Sequence, residues 1–527
     1  MPSLVKSSLS TELANSFFRS FQAGTTQLYF LLGRTETWGN DLIAPAPESS
    51  SLYEKEVREK GIRLQKITFA NVSMMAKRNN WLSGTVYDMF DTRSNSIELS
   101  DANMIVLTDD FNVYKCVFNN YNAASTIKPT ATTTEYLKLA DGYVWKYMKT
   151  LSTIERSRYL TNAFIPVSDV ASDGFFTGTL DFNIVSGGSG YDKNNVILEI
   201  TGNGNGAIMD PILNGLGEIV NVELTSGGTG YTTASMAVSV PDSGGIVGTG
   251  GQVDAVINNI ELDNNQSAVQ LSAVDGEISS IYVNSGGVGY TSATVEILGD
   301  GQNASITPII EGGSIVDFTY LNRGENYNNA TIRVTGDGTG FDGDVILAPG
   351  GGHGKSLVDE SYADAISMYL PEIDSDLQGS LNTPDIEYRQ VALIANPKDF
   401  SSLTFRGETG SLVYMIEDSS ITDAAYDANM RLRLQGESDI MTVVGVEDGK
   451  LLLHVESSFI PSSGDIFDII DIDSNITTPS ALTLSGSSTI TLPTVDRYSG
   501  NMIFLDNRAP FKKDSNQISN IRTLIKF

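Results

Sequence analysis

The 527-residue chain has one cysteine, Cys116, two histidines, His353 and His454, and three tryptophans. A single thiol excludes an intramolecular disulfide, and so few thiols and imidazoles leave no cluster for structural zinc or a multi-histidine iron site. No run of about eighteen apolar residues occurs, so no membrane insertion by a helix is expected. Met1 to Ser10 has one lysine but lacks the apolar stretch of a secretory signal. Positive charge is also scarce: 34 Lys and Arg face 64 Asp and Glu, a formal net charge of -30. That balance opposes nucleic-acid binding, which needs clustered Lys and Arg against phosphate.

What is present is apolar material and glycine. With 40% hydrophobic residues, 50 glycines and only 19% charged residues, the chain has enough to bury and many turns. The expectation is a mainly β protein of several domains, since this length exceeds what one core serves. The acidity is regional. Residues 1–168 carry 18 basic and 16 acidic side chains, whereas 169–350 carry 3 and 22. Trp38, Trp81 and Trp145 all precede that step. The composition divides the chain into a core region at 1–172, an acidic glycine-rich module at 173–350, core again at 351–402, a second small β module at 403–495, and C-terminal core strands at 496–527.

Local patterns fill in these regions. Ser10 and Thr11 stand as caps ahead of a short amphipathic helix over Glu12 to Phe21, and Gln27 to Gly33 reads as a buried strand. Ser51 and Glu54 have capping-box spacing for a helix over Tyr53 to Lys60, with Gly61 at the left-handed C-terminal position. A helical pattern covers Ser361 to Tyr369, and a strand at Gln390 to Ala395 stops at Asn396-Pro397. Leu451 to Val455 and Ile490 to Leu492 are strands of the second module. Asn501 to Leu505 and a docked final strand, Thr523 to Phe527, end the chain.

The acidic module contains an internal repeat. Gly217 to Tyr231 and Gly276 to Tyr290 both run from an alternating strand into Ser-Gly-Gly-x-Gly-Tyr; Ser186 to Tyr191 and Asn322 to Tyr327 are the first and last copies. A second strand then ends at Gly-x-Gly, as in Gly299-Asp300-Gly301 and Gly336-Asp337-Gly338. Each copy reads as a β-hairpin whose tyrosine covers the turn or packs on the next copy. The turns are 40, 59 and 37 residues apart, and a looped-out insertion over Asp242 to Gln270 accounts for the long interval.

Motifs that carry chemistry fail on inspection. Pro349 to Ser356 resembles a phosphate loop, but proline occupies the required first glycine, so the segment reads as a flexible connection. Asp471, Asp473 and Asn475 have the first three spacings of a calcium loop, but Ile476 and Leu482 replace its glycine and glutamate; Asp alternating with Ile and Phe over Asp465 to Asn475 is a strand pattern. Gly336 to Asp344 lacks the tandem repetition of a calcium-binding nonapeptide. His353 lies in the glycine-rich connection, His454 in a strand, and Cys116 in Val113 to Val117, where a core thiol is expected. No catalytic, metal or cofactor site is expected, although paired carboxylates are visible only in a fold.

Several ordered segments together resemble one family, the gene-product-eight baseplate wedge subunit of T4-like contractile-tailed bacteriophages. They are Leu32-Gly33-Arg34-Thr35-Glu36-Thr37-Trp38, similar to Phe-Gly-Arg-Ser-Glu-Pro-Trp; Arg78 with Trp81; Val113-Tyr114-Lys115-Cys116; and Asp141-Gly142-Tyr143-Val144-Trp145-Lys146-Tyr147. Thr161-Asn162 with Phe164-Ile165, Arg389-Gln390, Asn396-Pro397, and Gly500 to Pro510 with its Asn507-Arg508-Ala509-Pro510 follow in order, and Phe527 ends the series. The resemblance covers residues 1–172, 355–400 and 496–527, so the acidic repeats and the later module look like insertions. It implies a β-sandwich-like, non-enzymatic virion protein, assembled in the host cytoplasm into the tail baseplate. It further implies a homodimer joined to other wedge subunits, six wedges surrounding a hub. The matching residues carry over as structural signatures only.

Two readings from other classes compete. Tyr191, Tyr231, Tyr290 and Tyr327 could stack on sugar rings if exposed, which would make the repeats a carbohydrate-binding tail adhesin. A polysaccharide-degrading β-helix needs an even coil repeat, which the unequal spacing disfavours.

Overall fold

A computed structural model describes residues 7–22, 26–68, 71–94, 96–169, 179–193, 195–240, 248–258, 264–370, 387–407, 409–422, 425–427, 429–447, 449–455, 459–511 and 521–527. The protein is mainly β, 50% strand and 10% helix, in several antiparallel sheets with few short helices. The boundary at 172/173 and Asp242 lie outside the described residues.

Leu28–Gly33 is the middle strand of a five-stranded sheet, flanked by Gly61–Lys66 and Tyr388–Ala395, with Thr409–Ser411 and Asn501–Phe511 outermost. Its run of apolar residues is uninterrupted because both faces are covered. Leu28, Phe30 and Leu32 enter the main core, while Tyr29 and Leu31 join Val57 from the helix Ser51–Glu59 on the opposite face. A four-stranded sheet, ordered Ile521–Lys526, Ala365–Leu370, Val72–Lys77, Phe164–Val167, supplies Met74, Ile366 and Met368 to the same core. The two sheets thus share one apolar filling, as in a sandwich. A further sheet of Ile105–Leu107, Asn112–Asn119, Tyr143–Thr150 and Tyr136–Lys138 adds Tyr114, Cys116 and Trp145. The final strand docks on Ala365–Leu370, and the Phe527 ring meets Phe17 of the helix Ser7–Gln22 at 5.6 Å.

The described strands between 179 and 347 form two units of three nested ladders. In the first, Thr179–Ser189 pairs with Thr249–Asn258, Ile197–Gly202 with Ala234–Ser239, and Asn205–Leu213 with Ile219–Thr229. In the second, Ile278–Val288 pairs with Thr339–Leu347, Ala293–Gly299 with Ala330–Gly336, and Gln302–Glu311 with Ser314–Glu325. Each repeat therefore supplies three strands, and its first, second and third pair with the third, second and first of the other repeat. This overturns the hairpin expected within each copy. The reason lies in the turn: Gly287 and Gly289 take φ of +66 and +80, and the Tyr290 ring then covers Gly338 of the other repeat, where a Cβ would lie 2.4 Å from Tyr290 Cγ. The same ring also lies against Gly287 of its own repeat, so it sits between bare backbone from both repeats.

The unequal spacing follows from the same pairing. The intervals of 40 and 37 residues separate copies within a unit, and the 59-residue interval crosses between units. The described part of Asp242 to Gln270 is not looped out: Thr249–Asn258 closes the first unit, and the helix Asn264–Ser272 buries Val269 in the main core.

The later module is one seven-stranded sheet, ordered Ile476–Thr483, Ile466–Ile470, Arg431–Leu434, Ile440–Glu447, Lys450–Val455, Tyr414–Glu417, Thr489–Thr491. It fills its own cluster with Leu432, Met441, Leu453 and Phe467.

Four local expectations need correction. The first helix starts at Ser7, placing Ser10 and Thr11 inside it. The second is capped by Ser50, whose hydroxyl accepts from Tyr53 N, and Gly61 opens a strand, where a Cβ would sit 2.7 Å from Leu31 Cδ1. Ser361 to Tyr369 is not helical: a one-turn helix, Leu357–Glu360, precedes the strand Ala365–Leu370, whose alternate residues face the core. The glycine-rich connection is buried at Gly352, His353 and Gly354 and is no flexible linker, because its amides are tied to neighbouring groups: Gly351 N donates to Asp275 at 2.7 Å and Gly352 N to Pro349 O at 2.8 Å.

Candidate functional site

The sequence segments singled out above converge in two places. At the end of the five-stranded sheet, Gly33 lies at a bulge, and a Cβ there would be 2.5 Å from Lys60 O. The chain turns at Arg34, φ +53, whose guanidinium covers the Trp38 ring at 3.8 Å. Trp38 Nε1 donates to Arg508 O at 2.8 Å, and Arg389 pairs with Asp41 at 2.8 Å while donating to Thr35 O at 2.7 Å. Asn507 donates to Tyr53 Oη at 2.7 Å and to Pro45 O at 3.0 Å, and accepts from Gln390 at 2.9 Å. Asn396, φ +49, brackets Gln27 through its backbone and side chain, both at 2.7 Å, beside buried Pro397. Pro510 is exposed and outside this cluster.

The second convergence is aromatic. Tyr143 stacks on Trp145 at 5.5 Å, Tyr87 meets Trp145 edge-on at 5.6 Å, and Tyr114 meets Tyr147 at 5.7 Å. All five rings are buried, as is Cys116, whose thiol burial pushes well above its usual range. That makes it an inert core thiol. Gly142, φ +84, sits where a Cβ would be 2.6 Å from Asn120 Cγ, and Trp81 Nε1 donates to Ser125 Oγ at 3.2 Å.

Sequence reasoning missed a third constellation, where the second repeat unit meets the core. Lys115 Nζ lies 2.6 Å from Glu360 Oε2, with side chains 0% and 5% exposed. Glu360 Oε1 accepts from Gly354 N at 2.8 Å and, more weakly, from Ser356 N at 3.4 Å. His353 is fully buried; its Nε2 pairs with Ser279 Oγ at 2.9 Å, and its Nδ1 stands 3.7 Å from Glu360 Oε2 without a hydrogen-bond partner. Nearby, Tyr136 donates to Glu277, and Arg323 lies between the Tyr136 and Tyr320 rings at 4.0 and 4.2 Å. The only signal in the sequence was a histidine among glycines.

The row Ser279, His353, Glu360 has the residue types of a hydrolytic triad, but not its chemistry. Ser279 is 1% exposed, and burial followed by the Lys115 charge lowers the His353 pKa to about 3. An imidazolium formed on accepting the serine proton would sit beside that ammonium, so general-base catalysis is opposed. Burial raises the Glu360 pKa, but Lys115 and then His353 outweigh it and bring it down to about 2. The constellation joins the repeat unit to the core.

The near-miss motifs are also structural. Asp471 accepts from Asn475 N at 2.8 Å in the turn after the strand Ile466–Ile470, so the strand pattern stops short of Asn475. Asp337 accepts from Thr291 N at 2.9 Å and Ser292 N at 3.0 Å, capping the loop after Tyr290. His454 lies in Lys450–Val455, and burial, with a smaller contribution from Arg497, lowers its pKa to about 3. Among the described residues no group of three or more His, Cys, Asp or Glu could hold a metal, and no helix is long and apolar enough to cross a membrane. Tyr191, Tyr231, Tyr290 and Tyr327 are 9%, 4%, 4% and 7% exposed, so none offers a stacking platform.

No protein-family model matches the chain, and no curated protein matches it.

Proposed function

We propose that this protein is a structural subunit of the baseplate wedge of a contractile phage tail, self-paired and joined to other wedge subunits in the virion. The observation that supports this most is the convergence of Gly33, Arg34, Trp38, Arg389, Gln390, Asn507 and Arg508, three segments far apart in the chain, into one hydrogen-bonded cluster. Those segments carry the family resemblance, and a common scaffold is the simplest physical reason for keeping them together while long modules are inserted between them. The surrounding chemistry favours scaffolding, since the buried ionisable groups at the joint are engaged with one another. The adhesin alternative loses its aromatic surface because the four tyrosines are covered.

Light scattering on the purified chain at several salt levels tests the self-association, with a salt-resistant dimer expected. Immunogold labelling of virions tests the location, with label at the tail end away from the head. A strict monomer, or label confined to fibres or absent from tails, overturns the reading.

A further inference from the structure

Lys115 and Glu360 bracket the entire repeat region, and their contact closes the base of that inserted structure against the core. Three buried lysine–carboxylate pairs can be compared. Lys66 and Asp181, at 3.0 Å, are 11% and 8% exposed, and Lys149 and Glu155, at 2.6 Å, are 3% and 20% exposed. Lys115 and Glu360 are drier, at 0% and 5%, and differ in three further ways. The carboxyl oxygen away from the lysine accepts from Gly354 N at 2.8 Å, a donor placed to receive developing negative charge, with Ser356 N farther off at 3.4 Å. The oxygen facing the lysine also faces the unpartnered His353 Nδ1 at 3.7 Å. And the residue directly across the ladder from Lys115 is another buried lysine, Lys146, 3% exposed.

We propose that Lys115 and Glu360 condense to an intramolecular isopeptide bond, a covalent clasp at the base of the repeat units. The reacting form is the minor neutral pair, amine and acid, reached from the ion pair by transfer of one proton across the 2.6 Å contact. Nζ of Lys115 attacks Cδ of Glu360, and the carbonyl electrons move onto Oε1, which accepts from the Gly354 amide. The proton released by the attacking nitrogen passes to the adjacent Oε2, which leaves as water. One Nζ–Cδ bond forms, one Cδ–Oε2 bond breaks, and no oxidant or cofactor is required. The fixed contact replaces a bimolecular encounter, which is what makes amide formation accessible without activation. A chain with one cysteine has no disulfide available for this purpose.

The clasp is independent of the assembly role and is tested separately. Intact-mass spectrometry of the full-length protein, denatured before measurement, is expected to give a mass lighter by one water than that of the unlinked chain, and digestion to give one branched peptide joining Lys115 to Glu360. Lys115→Met is read in the same denatured state, so its folding does not matter; it should show no such loss. An unlinked wild-type mass overturns the clasp.

Discussion

The sandwich core and the repeat units are both antiparallel β structure, yet different side chains hold them. The core is filled by large buried rings and aliphatics, among them Trp145, Tyr143, Tyr114 and Phe30, and its sheets combine strands from both ends of the chain. The repeat units have smaller fillings and rely on places where a side chain is absent: Tyr290 lies over Gly338, Tyr327 over Gly301, and Tyr191 over Gly248. Loops there are fastened by single side-chain acceptors, Asn203, Asp300 and Asp337, each receiving backbone amides from the other repeat. Bulk can thus be replaced by reciprocity, because two copies that each lack one half of a contact supply it to one another.

Three substitutions would break or sharpen that contrast. The largest effect is expected in the core: Trp145→Ala removes a fully buried ring and should cost about 3–5 kcal/mol in denaturant unfolding. Hydrogen exchange should localise the loss to the sheets around Tyr143–Thr150 and leave the first repeat unit protected; uniform loss would mean that core and repeats unfold as one. A smaller cost, about 1–3 kcal/mol, is expected for Gly338→Ala, whose new methyl collides with the Tyr290 ring. Faster exchange should appear in 278–347, and an unchanged profile would show that the ring can move aside. The smallest effect is pH-dependent. Hydrogen bonds from Thr291 and Ser292 lower the Asp337 pKa from 3.8 to about 2. A lowered carboxylate pKa contributes stability above the unfolded value and loses it as pH falls from about 3.8 towards 2. The melting temperature of the second unit should therefore fall over that window, and Asp337→Asn should flatten the decline. The first unit, where neutral Asn203 caps the loop that Asp300 caps in the second, is the comparison; an equal decline in both units would remove the aspartate caps as the cause.

Legibility in the sequence followed how local each cause is. Leu28–Gly33 and the terminal strand were readable because apolar runs bounded by turns need no partner to be recognised. The repeats were readable as repeats, but their pairing was not: alternation marks a strand and says nothing about which strand it meets. Ser361 to Tyr369 was misread because a one-turn helix followed by a strand imitates helical spacing over so short a stretch. His353 reads in the sequence as part of a linker because its neighbours, Ser279 and Glu360, lie on different elements.

Composition and periodicity by themselves determined the mainly β class, the division into near-neutral and acidic regions, and the absence of disulfides. Each of these depends on residue identity or on neighbours a few positions apart. The head-to-tail ladders, the gathering of Arg34, Trp38, Arg389 and Asn507, and the dry contact between Lys115 and Glu360 were decided only in the tertiary structure. They are contacts between surfaces that exist only after the strands have formed, and no local preference along the chain encodes which surfaces will meet.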